Sequence, residues 1–347
     1  MAREAEVSFP LFDNILAQPA ALRQLAAYQF GPGRDTRLRS SELLTSSKRV
    51  ILSGMGASLY ACVPLAHAIR AEVIESSELL YFHADEIEPG AAVLLVSRSG
   101  ESVEVTKLLP VLRARGCRII GVTNVGDSAL AANADEAVIL NCPADQLVAI
   151  QTYTATVLTL LMLAPGAGQD QVQAAIDELA SKLNTWTDAA RDLHDFVNAR
   201  TPVYLLGRGP ALGSVNEGAL LFHETAKAPA VGMPAAQFRH GPVEVVDRDF
   251  RAIIFGTVPE TLQLDAALAA DLLRMGAKVC WIGPPDAVPG ASVFPVAPGR
   301  FAPILETVPC QLLAYNMAEH RGIQPGSFRW APAITRSETG FMFPGAS

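Results

Sequence analysis

Three hydroxyls stand within six residues in "SRSGES": Ser97, Ser99 and Ser102, with Arg98, Gly100 and Glu101 between them. Hydroxyls beside a glycine, which lets the backbone come close, suit a phosphate dianion held by neutral O–H and N–H donors. An N-cap is the competing explanation, since Ser99 or Ser102 alone would serve as one. Three hydroxyls exceed what a cap needs, which favours the phosphate. A second set lies in 216–247, where Glu217, Leu220, Leu221 and Glu224 fall on neighbouring helical turns and His240 precedes Gly-Pro. A carboxylate at the edge of an apolar helix has a raised pKa, as a general acid or base near neutrality needs.

Rival chemistries fail on particular residues. A serine nucleophile elbow requires glycine where Ser97 stands, and no His–Asp partnership accompanies it. No Gly-Lys-Ser/Thr marks a Walker loop, and "SGMGAS" does not complete the dinucleotide fingerprint, so no nucleotide cofactor is expected. "HETAK" places Lys227 where a zincin has its second histidine, so no metal site is expected either.

The elements that position these residues follow from the hydrophobic pattern. Short β-branched runs ("RVILSG", "AAVLLVS", "RIIGVTN", "EAVIL", then "PVYLLG", "RAIIFG", "KVCWIG", "SVFPV") alternate with helical stretches, an α/β pattern of parallel sheets covered on both faces. "SRSGES" follows a buried strand, and a helix is expected from about Glu101. The serines thus lie at a strand's carboxyl end over a helix N-terminus, where open parallel sheets bind ligands. After the first strand, Gly56, Ala57 and Ser58 occupy a tight turn of the same kind.

The two halves repeat each other. "VILSGMGASL" matches "VYLLGRGPAL", with Gly54 on Gly207 and Gly56 on Gly209 (207 − 54 = 153); "VSRSGES" matches "FGTVPET", with Ser97 on Gly256 and Ser102 on Thr261 (261 − 102 = 159). The second copy lacks the serines and the glycine, so the first is expected to bind and the second to scaffold. "PGAGQD" (165–170) punctuates the halves, dividing the chain into 1–165, a helical arm around "QPAALRQLAAYQF" plus the first unit, and 166–347, the second unit and a tail. A polar amphipathic helix is expected from there to about Arg200. The arm's own domain is its default packing partner, a second subunit the alternative.

Half of the 347 residues are hydrophobic and 18% are charged, a globular composition. The net charge of −8 without Lys/Arg blocks argues against nucleic acid and anionic membranes as partners. The opening "MAREAEVSFP" lacks a signal-peptide core and no apolar run reaches spanning length, which leads us to expect a cytoplasmic protein. Five cysteines without a C-x-x-C pair read as reduced core residues.

"GMGAS", "SRSGES" and "NEGALLFHE…FRHGPVEVVD", with Glu224 and His240 sixteen residues apart (240 − 224 = 16), together resemble the sugar isomerase (SIS) family. The resemblance is to its double-domain members, such as the isomerase part of glucosamine-fructose-6-phosphate aminotransferase and the related glucosamine-6-phosphate deaminases. It implies two tandem flavodoxin-like subdomains and a phosphosugar isomerase or aminosugar-phosphate deaminase. Ser97, Arg98, Ser99 and Ser102 would hold the sugar phosphate, with Gly56, Ala57 and Ser58 against the sugar. Glu224 would move the proton between C1 and C2. His240, often donated by a neighbouring subunit in this family, would assist ring opening, which implies a homodimer with a shared site. Three family lysines are replaced, by Leu221, by Gln151 and, in the tail "PGSFRWAPAITR", by Ala333; Ala57 replaces the usual threonine. Imine chemistry through the tail is therefore in doubt, Lys227 is a possible substitute, and a catalytically silent sugar-phosphate sensor stands as the alternative. Without a cysteine nucleophile after Met1, no glutamine-hydrolysing domain is expected.

Overall fold

The computed structural model describes residues 11–198 and 201–341. The opening stretch read for a signal peptide therefore lies outside the described residues, and the helix expected to reach about Arg200 ends earlier, at Asp192, where Leu193 leaves the helical conformation. Two five-stranded, all-parallel sheets carry the fold. The first comprises β1 (Val50–Gly54), β2 (Glu72–Val73), β3 (Ala92–Val96), β4 (Arg118–Thr123) and β5 (Glu136–Ile139), in the order β2-β1-β3-β4-β5. The second comprises β6 (Val203–Gly207), β7 (Ala230–Pro234), β8 (Arg251–Phe255), β9 (Lys278–Gly283) and β10 (Ser292–Pro295), in the order β7-β6-β8-β9-β10. The two orders are identical when β6 is matched to β1, and both are the flavodoxin-like 2-1-3-4-5 arrangement. β3 and β8 are central and every one of their residues is buried, which is why, apart from Arg251 at the start of β8, their sequences run continuously apolar rather than alternating.

The order reverses between β1 and β3, and again between β6 and β8. Crevices at such switch points, beyond the carboxyl ends of the strands, are where doubly wound sheets take ligands. The loops leaving β1 and β3 carry Gly56–Ser58 and Ser97–Ser102.

The helical arm runs from Leu11 to Phe30 and continues as Arg34–Ser46. Its Ile15, Leu22 and Leu25 are fully buried in the largest apolar cluster, which also takes in residues of both sheets, so the arm packs within its own chain. A buried side-chain pair, Gln18 Nε2 donating to Gln311 Oε1 at 2.8 Å, ties it to the helix Pro303–His320. The amphipathic helix after "PGAGQD" spans Gln169–Asp192. All five cysteines are buried and free. Among the described residues no helix is long and apolar enough to cross a membrane.

Candidate active site

The serine loop opens at Ser97, whose N–H continues the sheet by donating to the carbonyl of Val122 at 3.0 Å. Ser97 Oγ is buried, accepts the Gly100 N–H at 3.1 Å and shares a hydrogen bond with Ser102 Oγ at 3.1 Å. Gly100 has φ +67°, and a Cβ there would lie 2.1 Å from Ser128 Oγ, so both conformation and space demand glycine. The helix begins at Val103, two residues later than expected, with Ser102 at the N-cap position. Ser102 makes no side-chain cap bond, and Ser99 Oγ accepts the N–H of Glu101 outside the helix at 3.2 Å. Capping the helix Val103–Ala114 thus consumes neither hydroxyl.

The second copy shows the same turn built without serine. At Gly256, the counterpart of Ser97, a Cβ would lie 1.9 Å from the Trp281 ring, so this fold excludes a side chain there.

Glu224 lies near the C-terminal end of the helix Leu212–Ala226, which packs beside the helix Ala57–Ile69 that follows β1. Leu220, one turn before Glu224, comes within 3.7 Å of the point where a Gly56 Cβ would stand. The β1 turn and the glutamate helix are therefore immediate neighbours. Gly56 has φ +50° and starts the helix. Ser58 Oγ makes no hydrogen bond among the described residues.

Burial raises the Glu224 carboxyl to about 7, against opposing pulls from Arg98 and Lys227. The carboxylate thus feels the guanidinium of the serine loop, although the two come from different sheets. Arg98 is oriented by donating Nη1 to the Leu147 carbonyl at 3.0 Å and Nη2 to the Ala333 carbonyl at 3.4 Å. Lys227, in the left-handed region at φ +51°, ends the glutamate helix and donates Nζ to the carbonyls of Glu224 and Ser327. Burial and Arg329 lower its pKa. Glu217, two turns before Glu224, is fully enclosed, and its Oε2 has no partner. Burial and the neighbouring Glu224 hold it well above the usual carboxylate range. Leu221, one turn on, offers it no cation.

A cavity of about 400 Å³ opens on Glu224, walled by His223, Lys227, Phe328, Arg329 and Trp330. The tail that forms this wall runs on over the serine loop: Val103 N–H donates to the Thr335 carbonyl at 3.0 Å, and Glu338 accepts from Tyr81 Oη at 2.6 Å and pairs with Lys107 at 3.2 Å. One of the N–H groups at the helix N-terminus is thus occupied by the tail. The tail wall and Tyr60, whose pKa is raised by burial and by Glu217 and Glu224, were not among the candidates. The tail has no periodicity, and it docks largely through carbonyls that any sequence supplies.

His240 stands apart. It is exposed, in the turn after the short helix Ala235–Phe238 that follows edge strand β7, and does not line the Glu224 cavity. The single chain therefore sets the Gly56 turn beside the glutamate helix and Arg98 within electrostatic reach of Glu224, while Gly56–Ser58 and Ser97–Ser102 do not line the Glu224 cavity and His240 lies apart. Among the described residues no group of three or more His, Cys, Asp or Glu side chains is placed to hold a metal ion.

Fold and site together define a class: a duplicated, doubly wound α/β protein with a hydroxyl-bearing loop after the central strand of its first sheet and a glutamate of raised pKa on a neighbouring helix. The chain belongs to the SIS domain family, whose pattern matches residues 43–165 and again 195–319. It is similar to the glutamine--fructose-6-phosphate aminotransferase of Pyrobaculum aerophilum, 29% identical over an alignment 337 positions long that covers 91% of this chain and 55% of that protein. The chain spans about half the length of the curated relatives it matches. Among solved structures, the fold is shared with tagatose-6-phosphate ketose/aldose isomerase from Escherichia coli, with a TM-score of 0.78, 23% identity and coverage of 91% and 94% of the two chains. It is shared equally with glucosamine-6-phosphate deaminase from Thermotoga maritima, with a TM-score of 0.76, 21% identity and coverage of 91% and 96%.

Proposed function

We propose that this chain is a sugar-phosphate isomerase or aminosugar-phosphate deaminase acting on a hexose or hexosamine 6-phosphate, with Glu224 as its acid/base. The observation that carries the reading is a carboxyl titrating at about 7 on a helix beside the Gly56 turn, within electrostatic reach of the Arg98 guanidinium of the hydroxyl-bearing loop. A pKa near the working pH lets one carboxyl both take and return a proton.

The phosphate sits against Ser97, Ser99 and Ser102, with Arg98 as its cation, and the sugar's first carbons extend past Gly56, Ala57 and Ser58 toward Glu224. Glu224 removes the proton α to the carbonyl or imine carbon, giving an enediol or enolamine, and returns it to the neighbouring carbon. For a hexosamine, reprotonation at C1 leaves an imine at C2; water adds there and ammonia departs, leaving the ketose. Burial raises the Glu217 carboxyl well above its usual range, which favours its protonated form and spares Glu224 a second negative charge on its own helix. Substrates with a closed ring need an acid to open it, and we assign that role to His240 of a second subunit in a homodimer, since the cavity of one chain does not include it.

The test is proton exchange in deuterated water with fructose 6-phosphate and glucosamine 6-phosphate, following ammonia in the same tubes. Deuterium at the exchanging carbon supports the enzyme, and ammonia selects the deaminase. Binding without any exchange would turn the reading to a silent sensor.

A further inference from the structure

The second sheet has a switch-point crevice, larger than the cavity on Glu224: a cavity of about 590 Å³ at the loops that follow β6 and β8, where Gly209, Thr257, Glu260, Thr261 and Glu306 meet His67 of the first unit. Its size is that of a small-molecule site. Gly209 repeats Gly56, and Thr257 and Thr261 repeat Arg98 and Ser102 (257 − 98 = 159; 261 − 102 = 159).

The chemistry of this crevice is the reverse of the first. Ser97, Ser99 and Gly100 are replaced by Gly256, Val258 and Pro259, so two hydroxyls and one N–H donor are gone, and Trp281 closes the space beside Gly256. The place for an anion at the next helix, Leu262–Arg274, is filled by the chain's own Asp265. That carboxylate is fully buried and accepts from Arg208 Nε at 2.8 Å and Thr261 Oγ1 at 2.9 Å. A phosphate would meet an anion already in position.

What the cavity offers instead is acceptors. Glu306 is 1% exposed, a costly place for a carboxyl, and its two oxygens receive only the hydroxyls of Ser214 and Thr257. Each oxygen has a lone pair to spare. Glu260, on the rim, has no ion-pair partner among the described residues. Arg300, which also lines the cavity, spends both terminal nitrogens on the carbonyls of Leu161 at 2.8 Å, Ala164 at 2.6 Å and Pro165 at 2.7 Å, leaving only its Nε without a partner. Val258, Pro64 and Leu161 supply apolar walls of the kind that face a sugar ring.

We propose that this crevice is a second ligand site, taking a phosphate-free sugar whose hydroxyl and amine hydrogens are received by Glu306 and Glu260. The second repeat is then not only a scaffold but a site of opposite selectivity, and this holds whether or not the first site performs catalysis.

The test is calorimetric titration of the full chain with D-glucosamine, with inorganic phosphate as the counter-probe. Four proteins are compared: the native chain, the Ser97→Ala/Ser99→Ala double variant, Glu260→Ala, and Ala68→Trp, which fills the crevice from an exposed helix position. D-glucosamine should bind the native chain and the serine variant alike, bind Glu260→Ala about tenfold more weakly, and fail to bind Ala68→Trp. Phosphate should not compete. Absence of D-glucosamine binding to the native chain at millimolar concentration would overturn the proposal. So would binding lost in the serine variant but kept in Ala68→Trp.

Discussion

If Glu224 is the proton carrier, the pH dependence of exchange carries its signature. Its carboxyl titrates at about 7 rather than 4.5 because burial disfavours the charge more than Arg98 and Lys227 restore it. A carboxylate acting as base at that value is about 90% ionised at pH 8, half ionised at pH 7 and about 10% ionised at pH 6. The kcat for C1 proton exchange on fructose 6-phosphate should therefore fall about tenfold from pH 8 to pH 6. An unperturbed glutamate would change it by only about 3% over that interval. Arg98→Gln removes a charge that stabilises the carboxylate, so its midpoint should move higher. The same shift has a stability side. The folded chain holds this proton more tightly than the unfolded chain does, so the contribution is fully present below pH 4.5 and is lost as pH rises through about 7, amounting to about 3 kcal/mol. Glu224→Gln, which cannot ionise, should be more stable than the native chain at pH 8 and nearly equal to it at pH 4.5, as read by urea midpoints. A flat kcat between pH 6 and 8, together with equal stability of the two proteins at pH 8, would refute the reasoning.

Other consequences are separable. Ser97→Ala with Ser99→Ala should weaken fructose 6-phosphate binding by about a hundredfold or more, since each hydroxyl bond to a charged phosphate contributes about 1.5 to 3 kcal/mol; calorimetry checks it. Gly256→Ser should destabilise the chain by about 2 kcal/mol or more, because its Cβ would stand 1.9 Å from the Trp281 ring, and denaturant midpoints read this directly. Mixing inactive Glu224→Gln and His240→Ala chains should restore exchange if one intact site forms from the two subunits, whereas no recovery places both residues in one chain's site.

The fold was legible where strands are buried on both faces. β3, β8 and their neighbours have no polar alternation to confuse with loops, and the match between halves foretold two sheets of one order. β2 and β7 were not recognised, since β2 has two residues and β7 ("AVGMP") contains glycine and ends in proline at a sheet edge. The helix after "SRSGES" starts late because Gly100 in the left-handed region keeps the loop open until Ser102. Glu224 was legible as a carboxyl on an apolar helix. The electrostatic influence of Arg98 on it and the tail wall were not, because long-range packing brings these groups near one another and no local pattern encodes it. The second crevice was hidden for a related reason: the lost serines read as a lost site, while Glu306 sits on another helix altogether.

The most direct measurement is mass spectrometry of fructose 6-phosphate and glucosamine 6-phosphate recovered from deuterated water after incubation with the native chain and with Glu224→Gln. The account predicts one deuterium at the exchanging carbon with the native chain, and none with a variant that still binds the sugar phosphate. Equal labelling by the two proteins, or no labelling by a native chain that binds, would contradict it.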